Sequence, residues 1–297
     1  MTTFGDLVDE VLQTLNGYGL AQPRAAFLTA AVDATATTLL VDNASNFSQG
    51  VAEIGDEVVF VQSVDTANGV LTLSPDGRGY YGTTAAAHEV NARIESAATW
   101  PRHRIRNAIN DVIVGTWPTL FGVASTSFTF NPAVTTYELP AEVEQVLSVA
   151  ADTLGPSNDQ QVIRRYTHNP AAPAEYSTGQ YLTLGEAVAP GRTVTVTYTK
   201  APTALGSVTD VFTTVTGLRQ TAKRAVVLGA CADLVTFMDA ARLPVDTARA
   251  DEYDNRNAVG AATRIALQLQ QRFEMELEKE RRRLRSTTPV PVNVKAR

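Results

Sequence analysis

The hexapeptide Gly77-Arg78-Gly79-Tyr80-Tyr81-Gly82 fits the G-x-G-x-x-G spacing that brings a backbone close to a pyrophosphate in dinucleotide-binding proteins. That chemistry needs the glycines to turn a parallel strand into a helix inside a βαβ unit. Here the preceding VLTL reads as the second arm of a hairpin and no crossover helix follows, so the run reads as a glycine-rich turn with Tyr80 and Tyr81 packing beside a β-domain. His88, His103 and His168 are read as lying in that β-domain, in a helix and in a loop. No H-E-x-x-H, paired cysteine or carboxylate cluster accompanies them, so a metal site lacks its ligands and they read as single surface or capping histidines. Neither a G-x-S-x-G elbow nor a P-loop is present to supply a nucleophile or a phosphate cradle. Cys231, the one cysteine, stands mid-helix among Ala, Val and Leu and reads as a small buried hydrophobe. No catalytic, cofactor-binding or metal-binding residue follows from these motifs, and the expectation is a protein without enzymatic activity.

The chemistry left is recognition, and it gathers at the C-terminal end. Glu274 to Arg285 places acids before bases along one helix, as the macrodipole favours, with pairs such as Glu278 and Arg282 four residues apart. Such a run is either a solvated helix end or a basic rim in which Arg281, Arg282, Arg283 and Arg285 meet an acidic partner or a phosphate backbone. Residues 286–297 lose the helical period, with prolines and valines alternating. They read as an extended arm whose Pro289, Val290, Pro291, Val292 and Val294 could add to a partner's sheet edge, lie in a groove, or do neither.

Composition narrows the classes. With 25 basic and 31 acidic residues the net charge is −6, but residues 271–297 hold eight of the bases and four of the acids, so that end stands at +4 and the rest at −10. An acidic body argues against a sequence-reading nucleic-acid binder, which needs a basic footprint, and suits a surface that DNA slides past. No apolar run approaches the roughly 18 residues of a membrane span. The acidic MTTFGDLVDEVLQTL does not read as a secretory signal, and no membrane association is expected. A single cysteine permits no internal disulfide, so packing or assembly must stabilise the chain.

The elements that carry these residues follow from period. Phe4, Leu7, Val11 and Leu15 form a helical stripe behind a capping-box pattern at Thr3 and Asp6. Between residues 27 and 94 the period falls to two, with Asn68-Gly69 reading as a two-residue hairpin turn. Thr99 and Pro101 open a helix with Ile105, Ile109, Val112 and Trp117 on its buried face, and Pro118 ends it. Short strands return from about residue 127 to 199, RTVTVTY alternating most cleanly. Residues 218–241 are then apolar on nearly every side around 225–232, which demands enclosure by the chain itself or by neighbouring copies. Ile265, Leu269, Phe273 and Leu277 form a narrow stripe on the last helix. The expected fold is α+β: a helical bundle, with helices near 3–17, 99–117, 217–241 and 259–285, carrying two antiparallel β insertions. In domain terms, 1–20, 97–120 and 211–285 would form the bundle core, 25–96 and 125–200 the insertions, and 286–297 the arm.

In their order these segments resemble a head-to-tail adaptor, or connector, protein of long-tailed bacteriophages that infect actinobacteria. The resemblance is carried by GDEVVFVQSVDTANGVLTL, by RGYYGTTAAAHEVNARI with its R-G-x-x-G-T-x-A-x-x-H spacing, by PRHRIRNAINDVI, by Tyr137-Glu138-Leu139-Pro140, and by FEMELEKERRRL. It covers residues 3–285. It implies a virion structural protein assembled in the host cytoplasm, a homo-oligomeric and usually dodecameric ring at the head-tail junction. Its partners would be the portal protein, a tail-joining stopper or tail-terminator protein, and double-stranded DNA passing non-specifically through the channel. By the same analogy the C-terminal arm would reach the portal or a neighbouring subunit. The rival reading is a tail-end or baseplate protein whose β-domains bind carbohydrate or host surface through Tyr80, Tyr81, Tyr176 and Tyr181.

Overall fold

A computed structural model of the chain describes residues 1–17, 24–96, 98, 100–153, 160–240 and 261–288, with 237–240 and 261–262 as backbone only. The described residues form thirteen strands in three antiparallel sheets, five α-helices and three short 3-10 turns. The chain divides into two compact units.

The first unit comprises Gly5–Asn110 and Val227–Gln270. Its sheet runs in the order β1 (Arg24–Phe27), β6 (Arg93–Ser96), β3 (Gly50–Ile54), β4 (Glu57–Asp65), β5 (Val70–Leu73), β2 (Thr38–Leu40). The two outer strands approach each other just past their ends. Leu28 bridges Val41, the amide of Thr29 donates to Leu40 at 2.9 Å and that of Asp42 to Phe27 at 3.0 Å, so the sheet curls into a partial barrel. Period-two alternation sends Leu28, Leu39, Ile54, Val59, Leu71 and Ile94 into its interior.

The hairpin at Asn68-Gly69 is present, but its loop is longer than the two residues expected. Asp65 pairs with Val70, leaving the four residues 66–69 as the turn. The reason is local: the Asp65 carboxylate accepts from the amides of Ala67 and Asn68 and from the Asn68 side chain at 2.7 Å, holding a wider turn. Gly69 is at φ 66°, and a Cβ there would stand 2.6 Å from the Val41 carbonyl oxygen. Only glycine meets both demands.

The second unit comprises Met1–Phe4, Asp111–Val226 and Gln271–Arg297. A four-stranded sheet orders β10 (Gln160–Ile163), β9 (Gln145–Asp152), β13 (Thr193–Lys200) and β7 (Gly122–Thr129). A three-stranded sheet orders β11 (Tyr166–Asn169), β12 (Tyr181–Leu184) and β8 (Thr136–Glu138). Val149, Ile163, Leu182, Val194 and Val196 belong to one buried cluster. His168, expected in a loop, is a strand residue of β11, paired across to Leu182.

Helices occupy α1 (Phe4–Asn16), α2 (Arg102–Gly115), α3 (Phe212–Thr216), α4 (Lys223–Ala240) and α5 (Ala261–Thr287). Yet a helical bundle decorated by two β insertions is not the architecture. The most extensive element pairings are strand on strand, and the boundary between the units falls inside α1, α2, α4 and α5, so among the described residues no separate helical body carries insertions. An apolar stripe states that one face of a helix is covered but not by what. The buried face of α2 runs through Ile105, Ile109 and Ile113, with Val112 and Trp117 half-buried, and the capping residue expected at Thr99 lies outside the described residues. Ser286 and Thr287, expected in the arm, complete α5, and residues 289–297 lie outside the described residues.

The enclosure of α4 is also settled within one chain. Ala225, Val226, Ala230, Cys231 and Val235 are all buried without any second copy. Neighbouring subunits are therefore not needed to shelter that helix.

Candidate functional site

Three places gather side chains with chemical potential. In the first unit Glu57 opens β4 with its side chain 1% exposed. Arg78 grips it bidentately, Nε to Oε1 at 2.7 Å and Nη2 to Oε2 at 2.9 Å, and the His88 Nε2 lies 2.7 Å from Oε2. The amides of Gly79 and Ala86 donate to the same carboxylate at 3.1 Å each. Arg78 has further donors on the carbonyls of Asp33, Ala36 and Ala86. Burial pushes the Glu57 carboxyl up, but the hydrogen bonds from Arg78, His88, Ala86 and Gly79 outweigh it and hold the pKa at about 2. A carboxylate with five donors has no lone pair left for a substrate proton, so this cluster is a latch between β4 and the loops around residues 33–36 and 78–88.

The same latch explains the glycine-rich run. Gly79 is left-handed at φ 59°, and a Cβ on it would sit 2.7 Å from the Thr83 carbonyl oxygen. The Thr83 hydroxyl donates to Tyr80 and accepts from the Val58 amide. The turn closes on an antiparallel strand, with no parallel pair among the described residues, so a dinucleotide has neither crossover nor helix N-terminus to use.

Beside it, α2 is seated on the barrel. The Glu53 carboxylate, from β3, accepts from the Arg102 amide at 3.0 Å and lies 2.9 Å from the His103 Nδ1. This long-range acid satisfies an orphan donor of the helix start. Arg102 also pairs with Asp9 at 2.8 Å and Asp56 at 3.3 Å, which raise its pKa against the lowering effect of its own burial. An open cleft of about 500 Å³ lies here, lined by Glu53, Tyr81, Glu95, His103, Arg104 and Asn107 among others. The Tyr81 ring stacks on His103 with centroids 5.4 Å apart.

In the second unit the basic run is largely spent inside the chain. Arg281 and Arg282 both pair with Glu278, at 3.1 and 3.2 Å, and Arg283 pairs with the buried Glu280. Glu280 also accepts from the Thr221 hydroxyl at 2.7 Å, and Arg219 donates to Thr287 at 2.7 Å. Arg285 is exposed in the last turn of α5. Pro289, Val290, Pro291, Val292 and Val294 lie outside the described residues.

Cys231 is buried, and burial first, then the nearby Glu10 charge, pushes its thiol up to about 12, the condition of an inert core residue. Among the described residues no group of three His, Cys, Asp or Glu could hold a metal ion, and no helix is long and apolar enough to cross a membrane. Compared with known proteins, the chain matches no protein-family model and no curated protein sequence.

Reading by motif missed Glu57 and Glu53. A signal was present for the first, since an acid heading the apolar run VVFV must find cations once buried. Arg78 and His88 stand at the two ends of the R-G-x-x-G-T-x-A-x-x-H spacing.

Proposed function

We propose that this protein is a non-enzymatic virion subunit that closes into a dodecameric ring at the head-tail junction, joining portal to tail and leaving a channel for double-stranded DNA. The observation that carries the reading is α5. Its Ile265, Phe273 and Leu277 are only half-buried, and Leu267 and Met275 on its other sides are 58% and 65% exposed. At about 1.5 Å per residue its 27 residues extend for roughly 40 Å. That length and that much uncovered apolar surface suit a contact between copies.

Further support comes from the buried acids and histidines. Glu53, Glu57, His88 and His103 are engaged with one another or with backbone, as in a scaffold, and the body of the chain is acidic, as a DNA-passing channel requires. The portal and a tail-joining protein are the expected partners on the two faces of the ring.

Native mass spectrometry and cryo-microscopy of the purified chain, alone and with portal, test the reading. Closed rings are expected. A chain that stays monomeric under both conditions overturns it. Within that assembly, deleting residues 286–297 is expected to leave DNA-filled heads without tails, and normal tailing would remove the arm from the mechanism.

A further inference from the structure

Tyr81 is the uncommon residue of the first unit. It holds φ 55° without being glycine, a conformation that costs about 1 kcal/mol or more in a bulky residue, yet it is 63% exposed, so the strain is not offset by burial. What the strain achieves is placement. The ring lies against Tyr80, tilted with centroids 4.6 Å apart, and stacks on His103, while its exposed side forms one wall of the open cleft beside α2.

The other cleft groups are polar and complementary in kind. His103 and Asn107 stand one helical turn apart on α2, with Arg104 three residues before Asn107, so all three project from neighbouring positions. Arg104 and Asn107 are exposed and engaged with no other described residue. Because Nδ1 of His103 is held by Glu53, its Nε2 is the ring nitrogen left for a ligand. Glu95 is the direct cross-strand neighbour of Glu53; one of its carboxylate oxygens pairs with Arg93 at 2.9 Å, and the other is offered from the sheet side. A preformed aromatic plane beside an amide, a guanidinium, an imidazole and a carboxylate offers donors and acceptors to hydroxyls and a flat apolar surface to a ring of C–H bonds.

We propose that this cleft binds one neutral pyranose residue, its C–H face on Tyr81 and its hydroxyls on Asn107, Arg104, Glu95 and His103. The volume, about 500 Å³, is within the range of small-ligand sites and exceeds what one sugar ring fills, so a second residue of a glycan has room to extend outward. This inference does not rest on ring formation. A chain that forms no ring but binds sugar through Tyr81 retains it.

Saturation-transfer NMR on the full chain provides the test, with the methyl glycosides of glucose, galactose, mannose, rhamnose and N-acetylglucosamine and the matching trisaccharides as probes. A ligand of about a dozen heavy atoms on an open surface should bind with Kd on the order of 1 mM. The decisive variant is Tyr81→Asn, because asparagine tolerates the left-handed backbone and keeps the turn folded while removing the ring. Binding of at least one probe is expected, weakened about tenfold or more by Tyr81→Asn, as loss of a stacking ring implies, and several-fold by Asn107→Ala, with unchanged urea midpoints. Trisaccharide binding as tight as that of the glycoside would identify a glycan end as the source, and glycoside binding alone a free sugar; either supports the site. No transfer to any probe, or transfer undiminished in Tyr81→Asn, overturns it.

Discussion

A buried carboxylate is stable in this protein only because Arg78 answers it with two parallel donors and His88 with a third. Removing one partner of such a pair leaves the other charge stranded, typically a loss of about 3–5 kcal/mol. Arg78→Lys is therefore expected to be nearly as harmful as Arg78→Ala, since an ammonium cannot span both carboxylate oxygens and reach three carbonyls. Urea midpoints of the two variants check this, and a lysine variant close to wild type would refute it. The pH dependence has a definite sign. The Glu57 pKa is depressed from 4.5 to about 2 on folding, so its contribution is fully present above about pH 4.5 and is lost as pH falls towards 2. That shift corresponds to roughly 3 kcal/mol. The stability gap between wild type and Glu57→Gln should accordingly narrow between pH 5 and pH 3, and a constant gap would show that the carboxylate's charge is not what stabilises the latch. The arginine and histidine of this latch were visible in the sequence as a spacing, but their target was not, because Glu57 lies 21 residues before one and 31 before the other.

At the scale of elements, local signals located helices and turns while long-range groups decided their details. The start of α2 is satisfied by Glu53, 49 residues earlier in the chain, which no capping rule applied to neighbouring residues could find. The Asn-Gly pair marked a hairpin correctly, but the Asp65 carboxylate widened it to four residues. The two turn types differ in a testable way. In the two-residue turn both central residues have positive φ, whereas here Gly69 does and Asn68 does not. Gly69→Ala is expected to cost about 1–3 kcal/mol, through strain and the collision with the Val41 carbonyl. Asn68→Ala should cost well under about 1 kcal/mol, since only an exposed hydrogen bond to Asp65 is lost. Equal losses in equilibrium unfolding would contradict the four-residue turn.

For the molecule as a whole, the contrast between α4 and α5 is the informative one. The greasier helix is enclosed by its own chain, and the more polar one leaves apolar side chains in solvent. If the chain closes into the proposed ring, replacing Leu267 and Met275 together with lysine should abolish it while moving the unfolding free energy by no more than about 0.5 kcal/mol, as substitutions at exposed sites do. Rings that survive the double variant would place the contact elsewhere. The sequence by itself determined where chain segments coil or extend, because the repeat of apolar residues at two or near four is a local property that each segment carries alone. It also determined that Cys231 would be inert and that the glycine-rich run would be a turn. Only the tertiary structure decided that sheets rather than a helical bundle organise the chain, that α4 needs no second copy, and which acid each cation meets. The physical reason is common to all three: an apolar face or a buried charge specifies that it must be covered, and several surfaces satisfy that demand equally until distant residues are brought together.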